Sequence, residues 1–178
     1  MQNINIIKKA KNIKFFACDV DGVLTRGEII IFNDNEDVKI WNVKDGMGFN
    51  LLSEVSPKIK TAWITGGCSL QVEKRANDMK INYLFQNCMN KKEALNKILG
   101  KESLSVYEVA YIGDDILDIP VLKIVGFSTC PSNACDDVKM SADYISSFKG
   151  GEGVVREVIE IIIKAKCEWQ KILNRYID

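Results

Sequence analysis

Two aspartates, Asp19 and Asp21, end the apolar run in "FFACDVDGVLT" and are followed at once by Gly22. If that run is a strand, side chains at i and i+2 share a side, so both carboxylates face one site at the strand's carboxyl end. That is the end where open α/β sheets bind ligands. Two bare carboxylates ~4 Å apart repel by roughly 1 kcal/mol in water and about 4 kcal/mol at a protein-like dielectric. The pair therefore needs a cation or a shared proton. Asp-Gly is also a common turn signal, which makes capping or turn formation the plainer alternative. A second acidic group stands in "YIGDDILD", where Asp114 and Asp115 follow Gly113 and Asp118 comes a helical turn later. Acidic residues at a helix start complement its dipole. Paired aspartates at two strand ends, however, also suit Mg²⁺, which takes oxygen ligands only, keeps several waters and binds through one or two carboxylates plus a substrate phosphate.

Two more strand ends carry polar residues. In "WITGG", Thr65, Gly66 and Gly67 can offer a hydroxyl and backbone amides to phosphate oxygens, although the same triplet is an ordinary turn into a helix. Lys91, in "NKKEAL", opens a helix where the dipole does not favour a cation, and a lone lysine is ordinarily a solvated surface residue. The chain has no histidine. Imidazole-paired nucleophiles and imidazole-ligated metals are thereby excluded, leaving carboxylates and lysines to supply any chemistry.

The elements that hold these residues alternate. Apolar runs at "IKFFACDV", "KTAWIT", "YLF", "VAYIG" and "GFSTC" are separated by segments of helical period, "GMGFNLLSEV", "SLQVEKRANDM", "KKEALNKIL" and "DILDIPVLKIV". This alternation predicts an α/β fold, a Rossmann-like, mainly parallel sheet flanked by helices. "GEIIIFNDNEDVKIWNV" departs from it and reads as a β-hairpin insertion after the first strand, over about 28–43. A final helix is predicted over about 154–176, after a flexible "KGGEG". At 178 residues the chain suits a single domain, 1–178.

Lysine plus arginine and aspartate plus glutamate number 24 each, with no basic block, so neither a nucleic-acid nor an anionic-membrane surface is expected. The start lacks a signal-peptide pattern and no run reaches the roughly 18 residues of a membrane span. A cytoplasmic protein with a small-molecule partner is the expectation. Six scattered cysteines, without a CxxC pair, read as reduced thiols in the core.

Taken in order, D-x-D, Thr, Lys and G-D-D, each at a strand end, resemble the haloacid dehalogenase superfamily of phosphotransferases. The hairpin, "NVKDGMG", "NYLFQ", "YIGDDILD" and "GGEGVVREV" are similar to its cap-less phosphatases of 3-deoxy-D-manno-octulosonate 8-phosphate, and to relatives acting on nonulosonate 9-phosphates. The resemblance implies Mg²⁺, a phosphorylated sugar acid as substrate and a role in lipopolysaccharide precursor synthesis. It also implies a homotetramer whose hairpins form a barrel, with a neighbour's hairpin and tail closing each active site. It assigns Asp19 and Asp114 to the metal through side chains, Asp21 through its backbone carbonyl, and Asp115 and Asp118 to the surrounding shell. With no imidazole to activate a hydroxyl, the ionised carboxylate of Asp19 is the expected nucleophile. Asp21, beside other negative charge, is expected to exchange protons with the leaving oxygen and then with water. Lys91 would balance charge, while Thr65 and the amides of Asp21, Gly22 and Gly66 would hold phosphoryl oxygens.

At one position the chain departs from the octulosonate pattern: Gly67 stands where those phosphatases carry an arginine, which can meet a carboxylate bidentately. The nonulosonate branch lacks that arginine and remains open. Lys44, Asp45 and Gly46 of "KDG", with Gly67 and Arg156, are the candidates for sugar contact; for Lys44 and Arg156 a surface or ion-pair place is the plainer reading. A phosphomutase would need a cap domain to exclude water, and only the hairpin stands at that point. A non-catalytic, metal-stabilised partner module is the alternative of another class.

Overall fold

The computed structural model describes residues 4–30 and 38–177. In chain order the elements are α1 (Ile4–Lys11), β1 (Phe15–Cys18), α2 (Val43–Ser53), β2 (Lys60–Ile64), α3 (Leu70–Asp78), β3 (Tyr83–Phe85) and α4 (Lys91–Glu102). They continue as β4 (Val109–Ile112), α5 (Ile119–Leu122), β5 (Phe127–Cys130), α6 (Asp136–Ser141), β6 (Tyr144–Ile145), α7 (Val154–Ala165) and α8 (Trp169–Asn174). Short 3-10 turns at Val106–Glu108 and Ile116–Asp118 lead into β4 and α5.

Every residue of β1, β4 and β5 is buried, as expected of parallel strands covered on both faces, which read as continuous apolar runs. The pleat then sorts the side chains. Phe16 and Cys18 join a layer built with α1, α2, α3, α7 and α8, through Ala10, Phe49, Leu52, Val72, Val158 and Ile172. Phe15 and Ala17 join the opposite layer, through Leu95 and Ile98 of α4, Val121 of α5 and Val138 of α6. The sheet order is β3-β2-β1-β4-β5-β6 with all pairings parallel. β1 lies between β2 and β4, with Cys18 opposite Trp63 on one side and Ile112 on the other. The chain winds outward in both directions from this centre, so the loops after β1 and β4 meet at a topological switch point.

Four expectations are modified. The helix predicted over "DILDIPVLKIV" shrinks to a 3-10 turn and the four-residue α5, because Pro120 supplies no amide and the Asp118 carboxylate is turned back onto the amides of Asp114 and Asp115. The helix predicted over 154–176 is two helices. Cys167 adopts a left-handed conformation, φ 61, between α7 and α8, and the turn returns Ile172 to the core and sets the Trp169 ring against Lys164 and Arg156. "KGGEG" is packed rather than free: a Cβ on Gly150 would lie 1.7 Å from the Gly22 carbonyl oxygen, and the Gly151 amide donates to Val23 O at 2.8 Å. Of the hairpin, residues 31–37 lie outside the described residues; its flanks at 28–30 and 38–42 are not strand, and α2 begins at Val43.

Candidate active site

Backbone geometry places the first carboxylate. The Asp19 amide continues the β1–β4 ladder by donating to Ile112 O at 2.9 Å, and Asp19 is 6% exposed. Gly22 follows at φ +85, and a Cβ there would lie 2.0 Å from Asp114 Oδ2. The glycine of D-x-D-G thus has a double cause, a left-handed turn and the close approach of the loop to a carboxylate arriving from β4. Asp19, Asp114 and Asp118 each bring an oxygen to within 4.8 Å of the others.

Lys91 lies at the heart of this cluster. The surface alternative fails for it: the residue is 3% exposed, with Nζ 2.9 Å from Asp19 Oδ1 and 2.7 Å from Asp118 Oδ1. Asn90 caps the first turn of α4 by accepting from Glu93 N, which delivers Lys91 from the first helical position toward the sheet. Burial alone would lower the lysine, but Asp19 and Asp118 raise it above its ordinary range. Asp118, itself fully buried, accepts from Lys91 and from Tyr111 Oη (2.6 Å) on Oδ1, and from the amides of Asp114 (3.1 Å) and Asp115 (3.3 Å) on Oδ2. Its four acceptor positions are filled. Asp114 Oδ1, in contrast, is buried without a hydrogen bond, and Asp19 Oδ1 has the ion pair with Lys91 but no further partner. Burial lifts the Asp19 carboxyl to about 6, against the pull of Lys91. Burial, with the charges of Asp19 and Asp118, lifts Asp114 to about 8. Two desolvated, under-bonded carboxylates beside a filled third fit a hard divalent cation bound through oxygen.

The other predicted residues divide. Thr65 is 2% exposed at the end of β2; its Oγ1 accepts from Gly67 N at 3.1 Å, leaving its own proton to donate. Gly66 lies beside Met89, and a Cβ on Gly67 would lie 3.5 Å from Asp21 Oδ2 and 3.6 Å from Thr65 Oγ1, so position 67 faces the cluster's mouth. Asp21 was expected beside negative charge; its neighbour is instead Lys39, which donates to Oδ1. Asp115 is exposed and caps its own turn through Ile116 N, meeting the cluster through its backbone, whose amide donates to Asp118 Oδ2 and whose carbonyl accepts from Asp118 N.

The "KDG" residues serve α7. Asp45 is 2% exposed and accepts from the Arg156 amide at 2.8 Å, capping a helix whose own N-cap, Gly153, has no side chain; burial lifts its carboxyl to about 6. A Cβ on Gly46 would lie 2.8 Å from Arg75 Nη2. The Arg156 side chain pairs with Glu160 at 2.7 Å, the ion-pair alternative. Lys44 and Arg156 line a groove of about 560 Å³ with Tyr144, Phe148 and Lys164, and none of Asp19, Thr65, Lys91 or Asp114 borders it. Sequence reasoning missed Lys39 and Tyr111. The tyrosine's place three residues before Asp114 was the available signal; nothing in the spacing announced the lysine.

A parallel sheet that gathers two under-bonded carboxylates and a buried lysine at its switch point has the donor set of an α/β site that works with a hard cation. The haloacid dehalogenase-like hydrolase family matches residues 28–158, and the chain belongs to it. It is 38% identical over 162 residues to the 3-deoxy-D-manno-octulosonate 8-phosphate phosphatase of Yersinia pestis, covering 91% of this chain and 86% of that protein. Against the Escherichia coli K12 enzyme of the same name the values are 38%, 91% and 85%. The crystal structure of the Moraxella catarrhalis phosphatase, in complex with a magnesium ion, a phosphate ion and a KDO molecule, superposes with a TM-score of 0.94 at 36% identity, over 98% of this chain and 99% of that one.

Proposed function

We propose that the protein is a Mg²⁺-dependent phosphatase that hydrolyses 3-deoxy-D-manno-octulosonate 8-phosphate to 3-deoxy-D-manno-octulosonate and phosphate. The observation that carries this reading is the pair of buried carboxylate oxygens, Asp19 Oδ1 with only the Lys91 ammonium as ion-pair partner and Asp114 Oδ1 with no hydrogen bond, in a chain so similar to phosphatases of that substrate. Asp19 and Asp114 would hold the metal through their carboxylates and Asp21 through its carbonyl; the ion supplies charge neutralisation for the transferring phosphoryl group.

The residues then divide the work. A carboxylate oxygen of Asp19 attacks phosphorus, the bond from phosphorus to the sugar oxygen breaks, and that oxygen takes a proton from Asp21. Asp21 next removes a proton from water, which attacks the aspartyl-phosphate and restores Asp19. Lys91 holds Asp19 in place and offsets negative charge, while Thr65 Oγ1 and the loop amides of Asp21, Gly22 and Gly66 position phosphoryl oxygens. Asp118 orients Lys91.

Gly67 leaves a second substrate open, a nonulosonate 9-phosphate, because the position facing the mouth lacks the arginine of the octulosonate pattern. Phosphate release from both substrates, with and without Mg²⁺, separates the two readings. Faster Mg²⁺-dependent release from the 8-phosphate supports the first, faster release from the 9-phosphate supports the second, and none from either leaves the non-catalytic module.

A homotetramer closing each site with a neighbour's insertion and tail belongs to the same proposal. Ile29, Ile40 and Val43, on the flanks of the insertion, are 83%, 58% and 81% exposed, apolar surface that an assembly would cover. No helix among the described residues is long and apolar enough to cross a membrane, and the cysteines are free thiols; both accord with a cytoplasmic place.

A further inference from the structure

Lys39 comes from the insertion, yet its side chain is only 16% exposed and its ammonium is paired with Asp21 Oδ1. The same oxygen lies 3.4 Å from the Thr25 hydroxyl, which also accepts from the amides of Gly22 (3.4 Å) and Gly27 (3.3 Å). One oxygen of Asp21 is therefore anchored from two sides. The other, Oδ2, has no hydrogen bond among the described residues and faces the gap toward Thr65, since the point where a Gly67 Cβ would stand is 3.5 Å from Oδ2 and 3.6 Å from Thr65 Oγ1. An exposed lysine-aspartate pair contributes little and wanders. Here the lysine is mostly covered while Asp21 keeps 39% exposure, and with the Thr25 hydroxyl on the same oxygen the pair restrains the Asp21 rotamer.

We infer that Lys39 is a positioning residue: by holding Oδ1 of Asp21 it aims Oδ2 at the oxygen that must gain a proton when the sugar ester breaks and at the water that must lose one afterwards. The inference rests on the phosphatase reading and adds a working part to it, one supplied by the insertion rather than by the sheet.

The test separates the two half-reactions. p-Nitrophenyl phosphate has a leaving group that needs no proton, so phosphorylation of Asp19 by it should not depend on how Asp21 is aimed, whereas hydrolysis of the aspartyl-phosphate should. In rapid-mixing experiments with Mg²⁺, Lys39→Met is expected to release one equivalent of nitrophenolate per site at the wild-type rate. Its steady turnover should then fall about 100-fold, the lower range for a positioned acid or base. On the sugar phosphate, which needs the proton in the first step, no fast first turnover should remain, and Lys39→Arg should restore most of the steady rate on both esters. Wild-type steady turnover by Lys39→Met would overturn the inference, as would equal slowing of its first and later turnovers, the mark of a merely structural role. Wild-type protein that cleaves neither ester would refute the phosphatase reading itself.

Discussion

With all four acceptor positions of Asp118 filled by Lys91, Tyr111 and two amides, the proposed cation would fall to Asp19 and Asp114. This has a consequence for pH. Both carboxyls are lifted by burial above the ordinary carboxylate value of 3.8, to about 6 and about 8, so the folded protein binds more protons than the unfolded chain across that interval. Their contribution to stability is complete below the unfolded value and is lost as pH rises through the folded ones. In chelator, the midpoint of thermal unfolding should fall from about pH 4 to about pH 8, and saturating Mg²⁺ should flatten the decline by compensating both charges. Equal slopes with and without Mg²⁺ would contradict the metal assignment. Lys91 was legible as a motif residue but not as a buried one, because an isolated sequence position carries no sign of what covers it. Replacing it by Met strands the charge of Asp19 and Asp118, so urea unfolding should show a loss of about 3 kcal/mol in addition to lost turnover.

Elements bring these residues together through contacts of different legibility. β1, β2, β4 and β5 announced themselves as apolar runs, β3 as "YLF", and the carboxyl ends of four of these strands carry Asp19, Thr65, Lys91 through its loop, and Asp114. The two-residue β6 and the six-residue α6 lack the length for a period to show, and α1, with Ala10 buried and Ile4 exposed, presents too narrow an apolar stripe. The break at Cys167 has no glycine or proline to mark it. Long-range caps are equally silent: nothing local says that Asp45 of α2 serves the amides of α7 across 111 residues. Asp45→Ala should lower stability by about 1–2 kcal/mol, as lost helix caps do, whereas Asp45→Asn keeps an acceptor. Because burial raises Asp45 to about 6, its contribution is present below the ordinary carboxylate value and lost through about 6. Asp45→Asn should remove that slope in denaturant titrations over the same interval. At Gly150, an added methyl meets the Gly22 carbonyl at 1.7 Å; Gly150→Ala should destabilise by about 1–3 kcal/mol and reduce turnover by shifting the loop of Asp19 and Asp21.

At the scale of the molecule, the sheet, its switch point and the carboxylate cluster belong to one chain, while the proposed closure of the site belongs to an assembly. The apolar flanks of the insertion and the pairing of Lys39 with Asp21 tie the two together. Sedimentation analysis should give a tetramer, and Ile40→Asp should shift it toward smaller species while reducing turnover on the sugar phosphate; a monomeric wild-type protein with full activity would contradict this reading. The proposed chemistry itself rests on Asp19. The most direct test is phosphate release from 3-deoxy-D-manno-octulosonate 8-phosphate, at saturating Mg²⁺, by wild-type protein and by Asp19→Asn protein shown to be folded. The account predicts Mg²⁺-dependent turnover by the wild type and a loss of about 10⁴-fold or more in the variant, as for removal of a covalent nucleophile. Turnover by Asp19→Asn at the wild-type rate would contradict it.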